Sequence, residues 1–136
     1  MSQITIVIVP EAISPQQDIV IRRLPNTIPA NRDLVVIGGI VAFRFQGGDG
    51  YNGDDLIFKP QPAYTWQLVD KVVAIVSPNS FEHDRSSNGG WAVDSVTRDG
   101  LENGQIRLRV SLACWGRGAY VQRVAYHVTA LGLLIQ

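Results

Sequence analysis

Apolar and polar residues alternate in two consecutive segments near the end of the chain. In residues 105–115 the positions 106, 108, 110 and 112 are apolar, whereas positions 107, 109 and 111 carry arginine, arginine and serine. In residues 120–130 a similar alternation sets Tyr126 and Val128 against His127 and Thr129. A period of two residues is typical of a β-strand with one buried face. The compact turn at residues 115–118 between the two segments predicts a β-hairpin on which the rest of the chain packs.

Six further apolar segments precede this predicted hairpin, at residues 4–9, 18–23, 34–45, 56–59, 71–77 and 91–98. Residues 71–77 (KVVAIVS) are almost continuously apolar, which is typical of a strand buried on both faces. We therefore expect this segment at the centre of a sheet. No segment shows a helical period over 11 residues, and Gly, Pro and Asn-Gly turns separate the segments. The pattern predicts an all-β fold, an antiparallel β-sandwich such as a jelly roll.

The chain has the length of one domain with a strand-bearing extension. We assign residues 51–136 to the β-sandwich domain and residues 1–50 to an N-terminal strand segment. A small isolated sheet is only marginally stable, so the N-terminal strands need partners. We expect them to pack on the same sandwich or on a neighbouring subunit.

Composition narrows the classes of partner. The chain has 136 residues, 46% of them hydrophobic, and its formal net charge is +0, so we expect no nucleic-acid binding. The longest apolar run, residues 34–43, is about half of the ~20 residues that a membrane span needs. Residues 1–12 lack a basic region and contain Pro10, which is unlike a signal peptide. We therefore expect a soluble protein without a membrane span, cytoplasmic or released without a classical signal.

The sequence contains no strong catalytic motif. It lacks the G-x-S-x-G and H-E-x-x-H patterns and a phosphate-binding loop. Its two imidazoles are His83, in a polar loop, and His127, in an alternating strand, where a structural histidine is common. Cys114 is the only cysteine, so no intrachain disulfide can form, and we expect it to be a buried small residue. We expect no enzymatic activity.

One glycine-rich loop, at residues 46–55, concentrates oxygen ligands of the kind that calcium prefers. The candidate ligands are Asp49, Asn52, Asp54 and Asp55. Their spacing does not match the twelve-residue helix-loop-helix pattern, and acidic Gly/Asn loops also form plain tight turns. Calcium is the only cofactor that the sequence suggests.

Aromatic and arginine residues occur together at the turn after residue 114. Trp115, Arg117 and Tyr120 lie within six positions, and an exposed aromatic ring beside a guanidinium group can hold a sugar by stacking and hydrogen bonding. The alternative is that Trp115 caps the core of the sandwich. Ten of the 12 basic residues are arginine. Arginine is often chosen over lysine at binding surfaces, but the excess is equally explained by arginines that are simply solvated.

Residues 56–132 resemble the H-type lectins, which are small β-sandwiches. The resemblance is carried by the segments 56–60 (LIFKP), 71–77 (KVVAIVS), 96–100 (VTRDG), and 110–115 followed by 121–132. Trp115 matches the binding-site tryptophan of that family, and Asn88 stands near the position of a family arginine. Gly116 stands where members often present a polar ligand, and Val128 replaces a tryptophan of the last strand.

The resemblance implies a homo-oligomer, a trimer or hexamer, that binds glycans of the N-acetylgalactosamine type between subunits. The expected ligand-binding residues are Trp115, Arg117, Tyr120 and Asn88. Our first hypothesis is therefore a non-enzymatic, carbohydrate-binding oligomer. The alternative is a structural protein of a particle or surface, similar to phage-tail proteins, that uses the sandwich for subunit contacts.

Overall fold

Seven antiparallel β-strands form the fold in a computed structural model that describes residues 13–46, 52–82 and 88–135. Their bounds are β1 (Ile13–Leu24), β2 (Arg32–Gln46), β3 (Asn52–Phe58), β4 (Trp66–Glu82), β5 (Gly90–Glu102), β6 (Gln105–Trp115) and β7 (Tyr120–Leu134). One sheet has four strands in the order β1-β2-β7-β4, and the other has three in the order β3-β6-β5. The described residues include no helix, and the predicted all-β antiparallel sandwich is confirmed. Accordingly, no helix in this part of the chain could span a membrane.

The core lies between the two sheets, because each strand turns alternate apolar side chains inward. The predicted alternation in β6 holds, with Leu108, Val110 and Leu112 fully buried. From the opposite sheet, Tyr126 packs its ring against Phe58 with the ring centroids 5.3 Å apart. The Tyr126 hydroxyl donates a hydrogen bond to the carbonyl of Gln61 and accepts one from its N–H, both at 3.1 Å. The largest buried polar side chain in the core thus has its hydrogen bonds satisfied.

The predicted hairpin at residues 105–131 is wrong, because its two strands belong to different sheets. β6 pairs with β3 and β5, whereas β7 pairs with β2 and β4. The turn between them carries the chain from one layer of the sandwich to the other. Both strands still direct an apolar side into one core. Two strands that face each other across the layers show the same alternation of apolar and polar residues as two strands that pair in one sheet, so the pattern could not distinguish the two arrangements.

The expectation that residues 71–77 form a buried central strand is also wrong. They belong to β4, which lies at the edge of the four-stranded sheet. Val76 faces the core and is 7% exposed, whereas Val73 and Ile75 point outward and are 62% and 65% exposed. The centre of this sheet is occupied by β2 and β7, so β1 and β2 from the N-terminal part share a sheet with the C-terminal strand. The predicted strand at residues 4–9 lies outside the described residues.

A buried carboxylate joins the ends of three strands. Asp33 of β2 is fully buried, and its two oxygens accept hydrogen bonds from the N–H groups of Arg23 and Leu134, each at 2.8 Å. The guanidinium of Arg22 lies 3.5 Å away. Burial alone would raise the pKa of Asp33, but the two backbone hydrogen bonds and the positive charge of Arg22 outweigh it, so the pKa is lowered. Asp33 therefore acts as a charged clamp between β1, β2 and β7.

Candidate functional site

The outer face of the three-stranded sheet, on the side away from the four-stranded sheet, carries two of the predicted site residues, Trp115 and Asp55. Every second residue of β6 points to this face, ending with Ser111, Ala113 and Trp115. The register places Asp55 of β3 beside Ser111, and Gly90 of β5 beside Trp115. We call the surface between Trp115 and Asp55 the Trp115 strip.

At one end of the strip, the indole of Trp115 lies across Gly90. A Cβ atom at position 90 would be 2.5 Å from the Cζ2 atom of the indole and 2.8 Å from Cε2. Real Cβ contacts are not this short, so the position of the ring depends on a glycine at residue 90. Trp115 as a whole residue is neither fully buried nor fully exposed.

The turn after Trp115 packs directly on the backbone before β5. Gly116 has a φ of +110°, and a Cβ atom there would lie 2.7 Å from the Cα of Gly89 and 2.9 Å from the carbonyl oxygen of Asn88. This contact brings the backbone of Asn88 close to the residue that follows Trp115. It also explains why position 116 carries no polar ligand, since no side chain fits there.

Arg117 follows in the same turn, and Tyr120 comes directly after it. Arg117 is exposed, and the N–H of Ala119 closes the turn by donating to the carbonyl of Gly116 at 3.1 Å. Tyr120 begins β7 and pairs with strands of the four-stranded sheet, so it belongs to the other layer of the sandwich. The structure thus places Asn88, Trp115 and Arg117 at one end of the strip, with Tyr120 at the start of the next layer.

The other end of the strip is an open depression of about 420 Å³. It is lined by Gly53, Asp54, Asp55, Asp94, Ser111 and Leu112. Ser111 is four residues from Trp115 along β6, which corresponds to about 14 Å in an extended strand. Between them the sheet surface consists of small residues, because Gly53 and Ala92 flank Ala113 in the register. A flat ligand can therefore approach the backbone closely along the strip.

Asp55 is the best oriented carboxylate in the depression. Its Oδ1 accepts a hydrogen bond from the hydroxyl of Ser111 at 2.7 Å, and its Oδ2 is 2.8 Å from Nη1 of Arg109. The hydrogen bond from Ser111 and the contact with Arg109 lower the pKa of Asp55. Asp55 is therefore ionised at neutral pH, and the side of the strip that it lines accepts hydrogen bonds.

Beyond Asp55 a row of ion pairs continues along the same face. Arg109 contacts Asp99 at 3.4 Å, Arg107 contacts Asp99 at 3.0 Å and Glu102 at 3.2 Å, and Lys59 contacts Glu102 at 3.3 Å. These side chains are partly exposed, so each pair adds little to stability. The row nevertheless makes this face of the sandwich charged and hydrophilic.

Sequence reasoning missed Asp94, Ser111 and Arg109 as members of the site. Asp94 is the extra residue where the register of β5 shifts between Val93 and Ser95, and no sequence pattern marks it. The polar side of β6 was visible as an alternation, but its pairing with Asp55 joins positions 56 residues apart. That register depends on the tertiary fold.

The predicted calcium ligands are only partly described. Asp49 lies outside the described residues, and β3 begins at Asn52, so Asn52, Asp54 and Asp55 belong to a strand and not to a loop. Successive residues of a strand point to opposite faces, and both oxygens of Asp55 already have partners. Within the described ranges, no group of three or more His, Cys, Asp or Glu side chains could hold a metal ion. Calcium binding stays a prediction.

Of the two histidines, only His127 is among the described residues, and it does not join the strip. His127 is exposed on the outer face of the four-stranded sheet, opposite Gly38 and Ile75, and His83 lies outside the described residues. Cys114 is fully buried, as its apolar neighbours predicted.

Comparison of the chain with models of protein families, with curated proteins and with solved structures found no match. The resemblance to H-type lectins therefore stays a prediction from sequence motifs.

Proposed function

We propose that this chain is a non-enzymatic glycan-binding domain and that its site is the Trp115 strip. The observation that carries the proposal is the pairing of a partly exposed tryptophan with an open, aspartate-lined depression about 14 Å away on the same sheet. The motifs that resemble H-type lectins support the same function, because Trp115 matches the tryptophan of their binding site.

The chemistry of the strip suits a sugar. The C–H face of a sugar ring stacks on an indole, while its hydroxyl groups donate to fixed oxygen acceptors. Asp55, held by Ser111 and Arg109, is such an acceptor, and Asp94 lines the same depression. The volume of the depression lies within the ~300–1,000 Å³ range of small-molecule sites.

The charge of the depression narrows the class of glycan. Asp54, Asp55 and Asp94 line it together, so an anionic sugar would meet like charges there. We infer that the preferred ligands are neutral sugars, including N-acetylated hexosamines, and not sialylated or sulfated glycans.

A glycan array tests this proposal. The wild-type protein, displayed on a multivalent scaffold, is expected to bind a subset of neutral glycans, and Trp115→Ala is expected to weaken that binding at least ~100-fold through loss of the stacking surface. The matched control is Trp91→Ala on the neighbouring strand, where the register sets Trp91 beside Cys114 and not in the strip. Binding to no glycan by a folded wild-type protein would sink the proposal.

A further inference from the structure

The outer face of the four-stranded sheet is unusually apolar. Five of its large hydrophobic side chains are more than one third exposed: Ile19 at 52%, Ile21 at 40%, Leu68 at 42%, Val73 at 62% and Ile75 at 65%. We call this surface the apolar face. Isolated exposed apolar residues are common on soluble proteins, but a contiguous apolar patch marks an interaction site.

The strand register shows that the patch is contiguous. Ile19 of β1 lies beside Val36 of β2, Val36 lies beside Thr129 of β7, and Thr129 lies beside Val73 of β4. One row of uncharged side chains therefore crosses all four strands. The neighbouring row contains Ile21 at one edge and Lys71 at the other.

The sequence of β4 has the pattern of a strand buried on both faces, yet the single chain buries only one of them. Val76 packs in the core, while Val73 and Ile75 project from the apolar face. The other sheet does not share this feature, because its outer face carries the row of ion pairs from Asp55 to Lys59. A second layer against the apolar face would make the environment of β4 agree with its sequence.

We propose that a second copy of this chain packs on the apolar face. The described charged and titratable residues of the face are Lys71 on the edge strand, Arg123 near the start of β7, His127 beside Ile75, and Arg32, which is paired with Asp70 at 2.7 Å. The row from Ile19 to Val73 carries no charge, so the middle of the face offers no charged surface to attract an anionic or cationic partner. Without described aromatic anchors or a basic rim, it also differs from surfaces that lie on lipid. A flat apolar face is complementary to itself, and twofold pairing of like faces is the commonest oligomeric contact.

The size of the face agrees with a sheet-on-sheet contact. Four strands about 4.8 Å apart, used over some nine residues at about 3.4 Å each, give a footprint of roughly 500 Å². Projecting side chains raise the accessible area above this footprint, towards the ~800 Å² that each partner buries in a standard interface. Two such sheets would stack about 10 Å apart, as the sheets of a sandwich do.

Sedimentation velocity over a concentration series tests the interface. The wild-type chain is expected to associate at micromolar concentration, and the double variant Val73→Asp with Ile75→Asp is expected to weaken association at least ~100-fold, because two carboxylates would be buried without partners. The control is Ile57→Asp, which places one such carboxylate at a 38% exposed position on the outer face of the other sheet. This control should associate like the wild type.

A second, more conservative double variant distinguishes loss of association from misfolding. Val73→Thr with Ile75→Thr keeps β-branched side chains on an edge strand and should still weaken association, with an unchanged circular dichroism spectrum. A monomeric wild type at all concentrations, association that persists in both double variants, or capture by lipid vesicles in place of self-association would each overturn the proposal. None of these outcomes depends on glycan binding, because Trp115 lies on the other sheet.

Discussion

Two aspartates show how the surroundings of a single residue decide its role. Asp33 is fully buried, and both of its oxygens accept backbone N–H groups, so its charge holds strand ends together. Asp55 is exposed beside Arg109 and Ser111, so its charge faces solvent at the edge of the Trp115 strip. Neither role can be predicted from the sequence, because the partners of Asp33 and Asp55 lie up to 101 positions away.

Replacing Asp33 with asparagine is expected to lower the free energy of unfolding by about 2–3 kcal/mol, because a charged acceptor is replaced by a neutral one with a single oxygen. The pKa of Asp33 in the fold is below its ordinary value of 3.8, so the stabilisation is complete above that pH and is lost as the pH falls through the lowered pKa. Urea unfolding from pH 7 down to pH 2 should therefore show the two proteins converging in acid. Equal stability at pH 7 would contradict the clamp.

Gly90 controls the position of the Trp115 ring. Gly90→Ala is expected to displace the indole, because the added Cβ would lie 2.5 Å from it, and to change the tryptophan fluorescence while reducing glycan binding. Gly100→Ala is the matched control, since a Cβ atom at position 100 meets nothing within 4 Å. An unchanged emission spectrum in Gly90→Ala would contradict the observed packing of the ring.

At the scale of elements, periodicity predicted strands but not their partners. The alternation in β6 and β7 correctly identified two half-buried strands, yet the pair crosses between sheets. The apolar run of β4 predicted burial on both sides, whereas the single chain buries one side of an edge strand. In contrast, the turn between β5 and β6 could be predicted from the Asn103-Gly104 pair, because Asn-Gly pairs favour positive φ angles. In the structure the two residues have φ of +53° and +76°.

The central strand β7 has room only for a glycine at residue 132, where its pairing register with β4 shifts. A Cβ atom at Gly132 would lie 2.1 Å from the carbonyl oxygen of Leu68, which is backbone and cannot rotate away. Gly132→Ala is therefore expected to destabilise the fold by about 3 kcal/mol or more. The Gly100→Ala variant, which has a positive φ but open space, should lose only about 1 kcal/mol. Thermal unfolding of both proteins checks this order, and equal losses would contradict the close approach at Gly132.

At the scale of the molecule, the two sheets share a core but present opposite outer surfaces. The three-stranded sheet carries ion pairs and the Trp115 strip, while the four-stranded sheet carries the apolar face. This division would let a domain associate through one sheet and bind glycans through the other, so that weak individual sites act together. The sequence predicted the sandwich. It could not predict which sheet each surface belongs to, because that depends on long-range pairing.

The most direct test of the Trp115 strip is an NMR titration with the glycan that the array selects. The indole N–H resonance of Trp115 and the backbone amides of residues 88–90 and 111–115 are expected to shift on binding, while those of the apolar face stay unchanged. Shifts confined to the four-stranded sheet, or a Trp115 indole unaffected at saturation, would contradict the assignment of glycan binding to this strip.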